Sequence, residues 1–107
     1  MDAKQIVNES LVYIENNLIR KITIEDIANS VGYSKFYFSR IFKAEMNISV
    51  MEYVKERKIV CASQAILKGE KILDVAIKYG WESHGGFIKA FKSYYGFSPS
   101  LLYVMKL

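Results

Sequence analysis

Ile27-Ala28-x-x-Val31-Gly32-Tyr33 returns 48 positions later as Val75-Ala76-x-x-Tyr79-Gly80-Trp81. Phe38-x-x-x-Phe42-Lys43 returns 49 positions later as Phe87-x-x-x-Phe91-Lys92, so one residue has been added within the second turn. Each copy reads as helix, turn, helix: apolar residues at helical spacing, a glycine suited to the left-handed residue that ends a helix, then a second apolar stripe. A small helical unit that presents one basic helix, duplicated in one polypeptide, can read two stretches of duplex DNA without dimerising.

Working outward, Asp2 with Gln5 resembles a capping box, and Val7, Leu11, Ile14 and Leu18 form a stripe, so a first helix is expected over about residues 3–18. Thr23-x-x-Asp26 caps a second, with Ile24, Ile27, Ala28 and Val31 inward, and Gly32 turns the chain. Ser34 caps a third over about 35–46, and Ser49-x-x-Glu52 opens a long fourth that runs to about Leu67, where Lys68-Gly69 stops it. A fifth spans Ile72 to Tyr79, a sixth Ser83 to Tyr95, and Ser98-Pro99 opens a seventh. No segment sustains strand alternation. The expectation is all-α: two three-helix, homeodomain-like helix-turn-helix subdomains (1–48 and 69–107) joined by a shared linker helix (49–68), about seven helices in a single domain of residues 1–107.

The bulk numbers agree. At 107 residues the chain holds a core but has no room for a separate catalytic domain, and 51% apolar residues exclude disorder. One proline and six glycines favour helices over a turn-rich β fold. No apolar run approaches the roughly 20 residues a membrane span needs, and the polar, acidic stretch from Met1 to Ser10 does not read as a signal peptide. A lone Cys61 suits a reducing cytoplasm. The net charge of +4 is unevenly placed: residues 1–33 carry −2 and residues 34–107 carry +6, so positive charge begins where the third helix begins. That fits a polyanionic partner.

On a helical wheel of about 100° per residue, Phe38, Ile41, Phe42 and Glu45 share the inward face of the third helix. Phe36, Arg40 and Lys43 take the far pole, with Ser39 on the flank. In the sixth helix Phe87, Ala90, Phe91 and Tyr94 point inward, Gly85, Lys89 and Lys92 outward, and Ile88 lies on the flank. The outward sets correspond at a shift of 49. Exposed lysines alone would be merely solubilising, but an aromatic such as Phe36 among them loses burial unless something covers it. A major groove does so, offering thymine methyls to apolar side chains and guanine O6 and N7 to Arg or Lys. Gly85 and Gly86 in the first turn of the sixth helix imply either a frayed start or close approach of the backbone to phosphate or sugar. His84 reads either as a donor to DNA or as a local cap. Eighteen residues of linker helix span roughly 27 Å, which with the helix widths separates the two outward helices by about one DNA turn. A rigid connector then predicts some bending of the DNA.

The quoted residues resemble the AraC-type (AraC/XylS) family of bacterial transcription regulators. The first unit, Ile24-x-Asp26-Ile27-Ala28-x-x-Val31-Gly32-Tyr33-Ser34-x-Phe36-x-Phe38-Ser39-Arg40-x-Phe42-Lys43, is similar to that family's first helix-turn-helix. Asp74-Val75-Ala76-x-x-Tyr79-Gly80-Trp81-x-Ser83, followed by Phe87-x-x-Ala90-Phe91-Lys92-x-x-Tyr95-Gly96-x-Ser98-Pro99, is similar to its second. The match covers about residues 8–104. The resemblance implies an asymmetric promoter site in double-stranded DNA and, as is usual in the family, activation through contact with RNA polymerase; the residues themselves lead to the further expectation of a chain that is monomeric on DNA, cytoplasmic, nucleoid-associated when bound, and without cofactor or metal. Base-facing residues would be Phe36, Ser39 and Arg40, then His84, Gly85, Ile88 and Lys89. Backbone-contacting residues would be Ser34, Lys35, Lys43, Ser83, Gly86 and Lys92. Relatives often carry tryptophan or histidine at the place of Phe36, and polar side chains where this chain has Gly85-Gly86, which would leave the sixth helix as a backbone clamp. Leu107 falls a few residues past the expected last helix, so the chain reads either as a stand-alone regulator or as the DNA-binding piece of a longer one.

An enzyme is not expected: Cys61 reads as a buried structural thiol beside Ala65, and His84 has no carboxylate pair or ligand cluster near it in sequence. The remaining alternative is a helical protein-interaction adaptor using Phe36 and the tyrosines Tyr13, Tyr37, Tyr53 and Tyr103.

Overall fold

Seven helices account for the regular structure in the computed structural model, which describes residues 2–105; the expectation attached to Leu107 lies outside the described residues. They are α1 (Ala3–Asn16), α2 (Ile24–Val31), α3 (Lys35–Met46), α4 (Val50–Leu67), α5 (Ile72–Lys78), α6 (His84–Tyr95) and α7 (Leu101–Met105), with no strand among the described residues. The fold is therefore all-α. None of the described helices is long and apolar enough to cross a membrane. The chain divides into two compact units, Met1–Lys55 and Glu56–Leu107, with the division falling inside α4.

In the first unit Ile6, Val7, Ile14, Ile27, Ala28, Val31, Phe38 and Phe42 are buried together with Val50 and Val54 of the adjoining α4 segment. Asp2 caps α1 by accepting from the Gln5 N–H at 2.9 Å. The helix stops at Asn16, two residues earlier than expected, because Asn17 turns its amide back onto the Tyr13 carbonyl at 2.7 Å and its backbone N–H onto Ile14. The apolar stripe also shifts: Leu11 is only half-buried, while Ile6 and Ser10 are buried, the serine hydroxyl donating to the Val7 carbonyl at 2.7 Å. That local bond lets a hydroxyl sit in the core without an unsatisfied group. Thr23 and Asp26 form the full capping box of α2, Asp26 N–H to Thr23 Oγ1 at 3.1 Å and Thr23 N–H to Asp26 Oδ2 at 2.9 Å. The Thr23 backbone N–H foremost, with the Thr23 side chain second, holds the Asp26 carboxyl below its ordinary range.

The second unit is built around Ile59, Ala62, Ile66, Val75, Ala76, Phe87, Phe91 and Leu102, with Trp81, Tyr95 and Phe97 packed against them. Its helices end as the repeat predicts, with one residue fewer in α5, where Tyr79 forms the cap. The largest departure is α7. Pro99 is buried, but Ser98, Pro99 and Ser100 form a tight turn through carbonyl bonds three residues on, to the Leu101, Leu102 and Tyr103 amides, and regular helix begins only at Leu101. Such 3₁₀-type openings are common at helix termini. Cys61 is half-buried rather than buried, with the Arg57 guanidinium 3.8 Å from its sulfur.

Candidate nucleic-acid interface

The two helix-turn-helix turns close with the same hydrogen bond. Gly32 takes φ 82° and Gly80 φ 91°, the left-handed conformation that glycine adopts without a steric cost. The following aromatic then donates its N–H back across five residues, Tyr33 to the Ala28 carbonyl at 3.1 Å and Trp81 to the Ala76 carbonyl at 2.9 Å. This is the closure of a Schellman motif. The added residue is Glu82, which lies between Trp81 and the cap Ser83, whereas Tyr33 leads directly to the cap Ser34. In the second unit the turn has a further brace: Lys58 Nζ donates to the Tyr79 carbonyl at 3.4 Å, at the negative end of α5. Burial of Lys58 lowers its pKa, and burial raises that of the Tyr79 phenol.

Each turn delivers a capped helix with one buried and one open face. Ser34 accepts from the Tyr37 N–H at 3.2 Å, and Ser83 from the Gly86 N–H at 3.0 Å. Phe38 and Phe42 are wholly buried in α3, as are Phe87 and Phe91 in α6. Face-sharing fails one turn further on: Glu45 and Tyr94 are exposed, and the neighbouring Met46 and Tyr95 are half-buried instead. Helices pack at an angle, so one face stays covered for about two turns. Beyond them the Tyr95 ring lies 5.6 Å from Phe97, with its hydroxyl 3.0 Å from the Ser63 hydroxyl.

On the open side of α3, Phe36 is 78% exposed, which forgoes about 2 kcal/mol of burial. Arg40 and Lys43 are exposed beside it, and Ser39 is half-buried, its hydroxyl already donating to the Lys35 carbonyl. Lys35 is exposed but engaged: its Nζ lies 3.0 Å from Glu25 Oε2 and 5.3 Å from the Phe36 ring centre. That hydrogen bond holds the Glu25 carboxyl below its ordinary range. Tyr37, which sequence reasoning set apart from the DNA-facing group, joins it here. It is exposed, stacks 5.2 Å from Tyr33 and lies under the Arg40 guanidinium at 6.0 Å. Its signal was available, since Tyr37 and Arg40 stand three apart on one helix.

On the open side of α6, His84, Gly85, Gly86, Lys89 and Lys92 are exposed and Ile88 is half-buried. The helix is regular from His84, so the two glycines lie within a capped helix. Ser83, not His84, makes the cap. A Cβ at Gly85 would meet nothing within 4 Å, whereas one at Gly86 would stand 3.0 Å from the Ser83 hydroxyl. Lys43, Lys89 and Lys92 have no ion-pair partner among the described residues. Each unit thus offers one capped helix whose uncovered face is cationic, mixed with an aromatic in α3 and with bare backbone in α6.

The family model described as a helix-turn-helix domain matches residues 27–102. The HTH-type transcriptional activator AarP of Providencia stuartii is 37% identical over 97 residues, which cover 90% of this chain and 72% of AarP. A solved transcriptional regulator from Chromobacterium violaceum, described as having an AraC-type DNA-binding domain, superposes with a TM-score of 0.92 at 20% identity, covering 97% of this chain and 94% of that one. The DNA-binding domain of AdpA, a global transcriptional factor solved with a target DNA, superposes with a TM-score of 0.78 at 18% identity, covering 89% and 86%. The two superpositions bear on the fold.

Proposed function

We propose, from the premise that this chain belongs to the AraC-type family of helix-turn-helix transcription regulators, that α3 and α6 enter successive major-groove segments of one asymmetric promoter site. A DNA-binding regulator domain of this family is a binding module, not an enzyme. Residues 1–107 act as one domain, with 1–48 and 69–107 as the reading units and 49–68 between them. In this reading Phe36, Ser39 and Arg40 meet base edges in the first segment, and His84, Gly85, Ile88 and Lys89 in the second. Ser34, Lys35, Lys43, Ser83, Gly86 and Lys92 meet the sugar-phosphate backbone. The reading extends to a monomer bound on cytoplasmic, nucleoid DNA that activates transcription through RNA polymerase, in line with the activator name of AarP.

The observation that carries the reading is Phe36, a large aromatic left 78% exposed between Lys35 and Arg40 on a capped helix. An apolar ring flanked by cations suits a thymine methyl flanked by phosphates and guanine acceptors. A titration of the whole chain with labelled duplex at rising salt tests it. Binding through several phosphates weakens log-linearly with salt; no binding to duplex even at low salt would overturn the reading and favour a protein partner for the exposed ring.

A further inference from the structure

We propose that Glu25 sets the affinity of the first unit for DNA by competing with phosphate for Lys35. The inference rests on the reading that the open face of α3 meets DNA. Lys35 is the first residue of α3, beside Phe36, where a phosphate-binding cation belongs. Its ammonium is instead held by Glu25 of α2 at 3.0 Å. An exposed carboxyl is anionic at neutral pH in any case, and the Lys35 hydrogen bond shifts its pKa further down, so the pair is a standing neutralisation of one positive charge. The two side chains retain 43% and 54% of their exposure, which leaves the ammonium open to a rival anion.

The duplication supplies an internal control. At the repeat shifts of 48 and 49, Glu25 corresponds to Leu73 and Lys35 to His84, so the second unit lacks the pair. Its turn nevertheless closes with the same glycine conformation and the same aromatic N–H to alanine carbonyl bond. Leu73 is 52% exposed and contributes little packing in exchange. The ion pair is thus not what the turn requires. What it changes is the charge presented at the start of the reading helix. A carboxylate there repels phosphate and occupies the nearest lysine, which lowers binding to every duplex alike and leaves base discrimination to Arg40 and Phe36.

The test is fluorescence anisotropy of the whole chain with a labelled duplex of random sequence across a salt series. Glu25→Gln is expected to bind about 3- to 10-fold more tightly at low salt, and the slope of log affinity against log salt steepens by up to about 0.9, because Lys35 then meets phosphate without leaving a bare carboxylate to take up a cation. Lys35→Ala weakens binding in both backgrounds, but costs less in the parent chain, where Glu25 competes for that charge, than in the Glu25→Gln background, where it also removes the gain. Glu25→Leu, the residue type the second unit carries at this place, reproduces the effect and guards against an ill-folded glutamine variant. Weaker binding, an unchanged slope, or an equal cost of Lys35→Ala in both backgrounds overturns the proposal. Lys43→Ala, a phosphate contact on the same open face that should weaken every duplex alike, separates the two levels. If it leaves affinity intact, the DNA-facing reading of α3 fails and the Glu25 proposal falls with it. If it weakens binding while Glu25→Gln does not tighten it, only the competition is refuted.

Discussion

Adjacent glycines at the start of α6 should respond to alanine in opposite ways. Gly85 has helical backbone and nothing within 4 Å of a built Cβ, so Gly85→Ala adds a methyl to open space. Removing glycine's excess freedom in the unfolded chain then stabilises the domain by about 0.4–1 kcal/mol. At about 4–8 °C per kcal/mol for a chain of this size, Tm rises by about 2–8 °C. Gly86 carries the same propensity penalty, but its Cβ would stand 3.0 Å from the Ser83 hydroxyl that accepts the Gly86 N–H. Moving that hydroxyl costs the helix its cap, about 1 kcal/mol, which offsets or exceeds the gain. Thermal unfolding followed by far-ultraviolet circular dichroism should therefore place Gly85→Ala above the parent chain and Gly86→Ala level with it or below. Equal rises in both variants would refute the geometric argument. The same Gly85→Ala protein serves the functional reading. If the bare backbone approaches DNA there, the stabilised variant binds duplex about 10-fold more weakly; undiminished affinity would remove Gly85 from the interface.

Gly32→Ala and Gly80→Ala force a Cβ into the left-handed region, at φ 82° and 91°, and each should cost about 1–2 kcal/mol in chemical denaturation; a costless change at either would show that the two turns are not equivalent. Thr23→Ala removes the hydroxyl half of the α2 cap, leaving the backbone N–H to Asp26 Oδ2 in place, and should cost about 1 kcal/mol by the same assay. The Asp26 carboxyl has a folded pKa below its unfolded one, so its contribution is complete above the ordinary carboxylate range and disappears as pH falls through the lowered value. Asp26→Asn should accordingly flatten the stability profile below about pH 4 and leave the neutral slope unchanged; a changed slope near pH 7 would contradict this. On DNA, Arg40→Ala should cost about 1–3 kcal/mol and relax preference at one base pair, while Lys43→Ala weakens all sequences alike. Equal losses on preferred and random duplex for Arg40→Ala would take it off the base-reading face.

The repeat made the turns legible because glycine, cap serine and paired phenylalanines act locally: Gly32 and Gly80, Ser34 and Ser83, and Phe38-Phe42 with Phe87-Phe91 all take the places their spacing predicts. What escaped depends on neighbours far along the chain. A wheel assigns Glu45 and Tyr94 inward because it assumes one straight face, and cannot know where a crossing partner ends. Ser10 was passed over because hydrophobicity ignores a hydroxyl that satisfies itself on its own helix. The Glu25–Lys35 pair spans ten residues across a turn, and the Lys58 contact with the Tyr79 carbonyl spans 21, beyond any helical periodicity. In the candidate interface the exposed helix faces were visible in advance. The internal engagement of Lys35 and Ser39 was not, since both depend on rotamers.

Selection of binding sites from a random duplex pool, using the whole chain at low salt, bears most directly on the claim that two cationic helices read one stretch of DNA. The expected product is an enriched site with one sharply defined segment, lost in Arg40→Ala, and a second, tolerant segment centred about one helical turn away, 10–10.5 base pairs. A pool that stays random, or an enriched site confined to one segment with no dependence on α6, would contradict it.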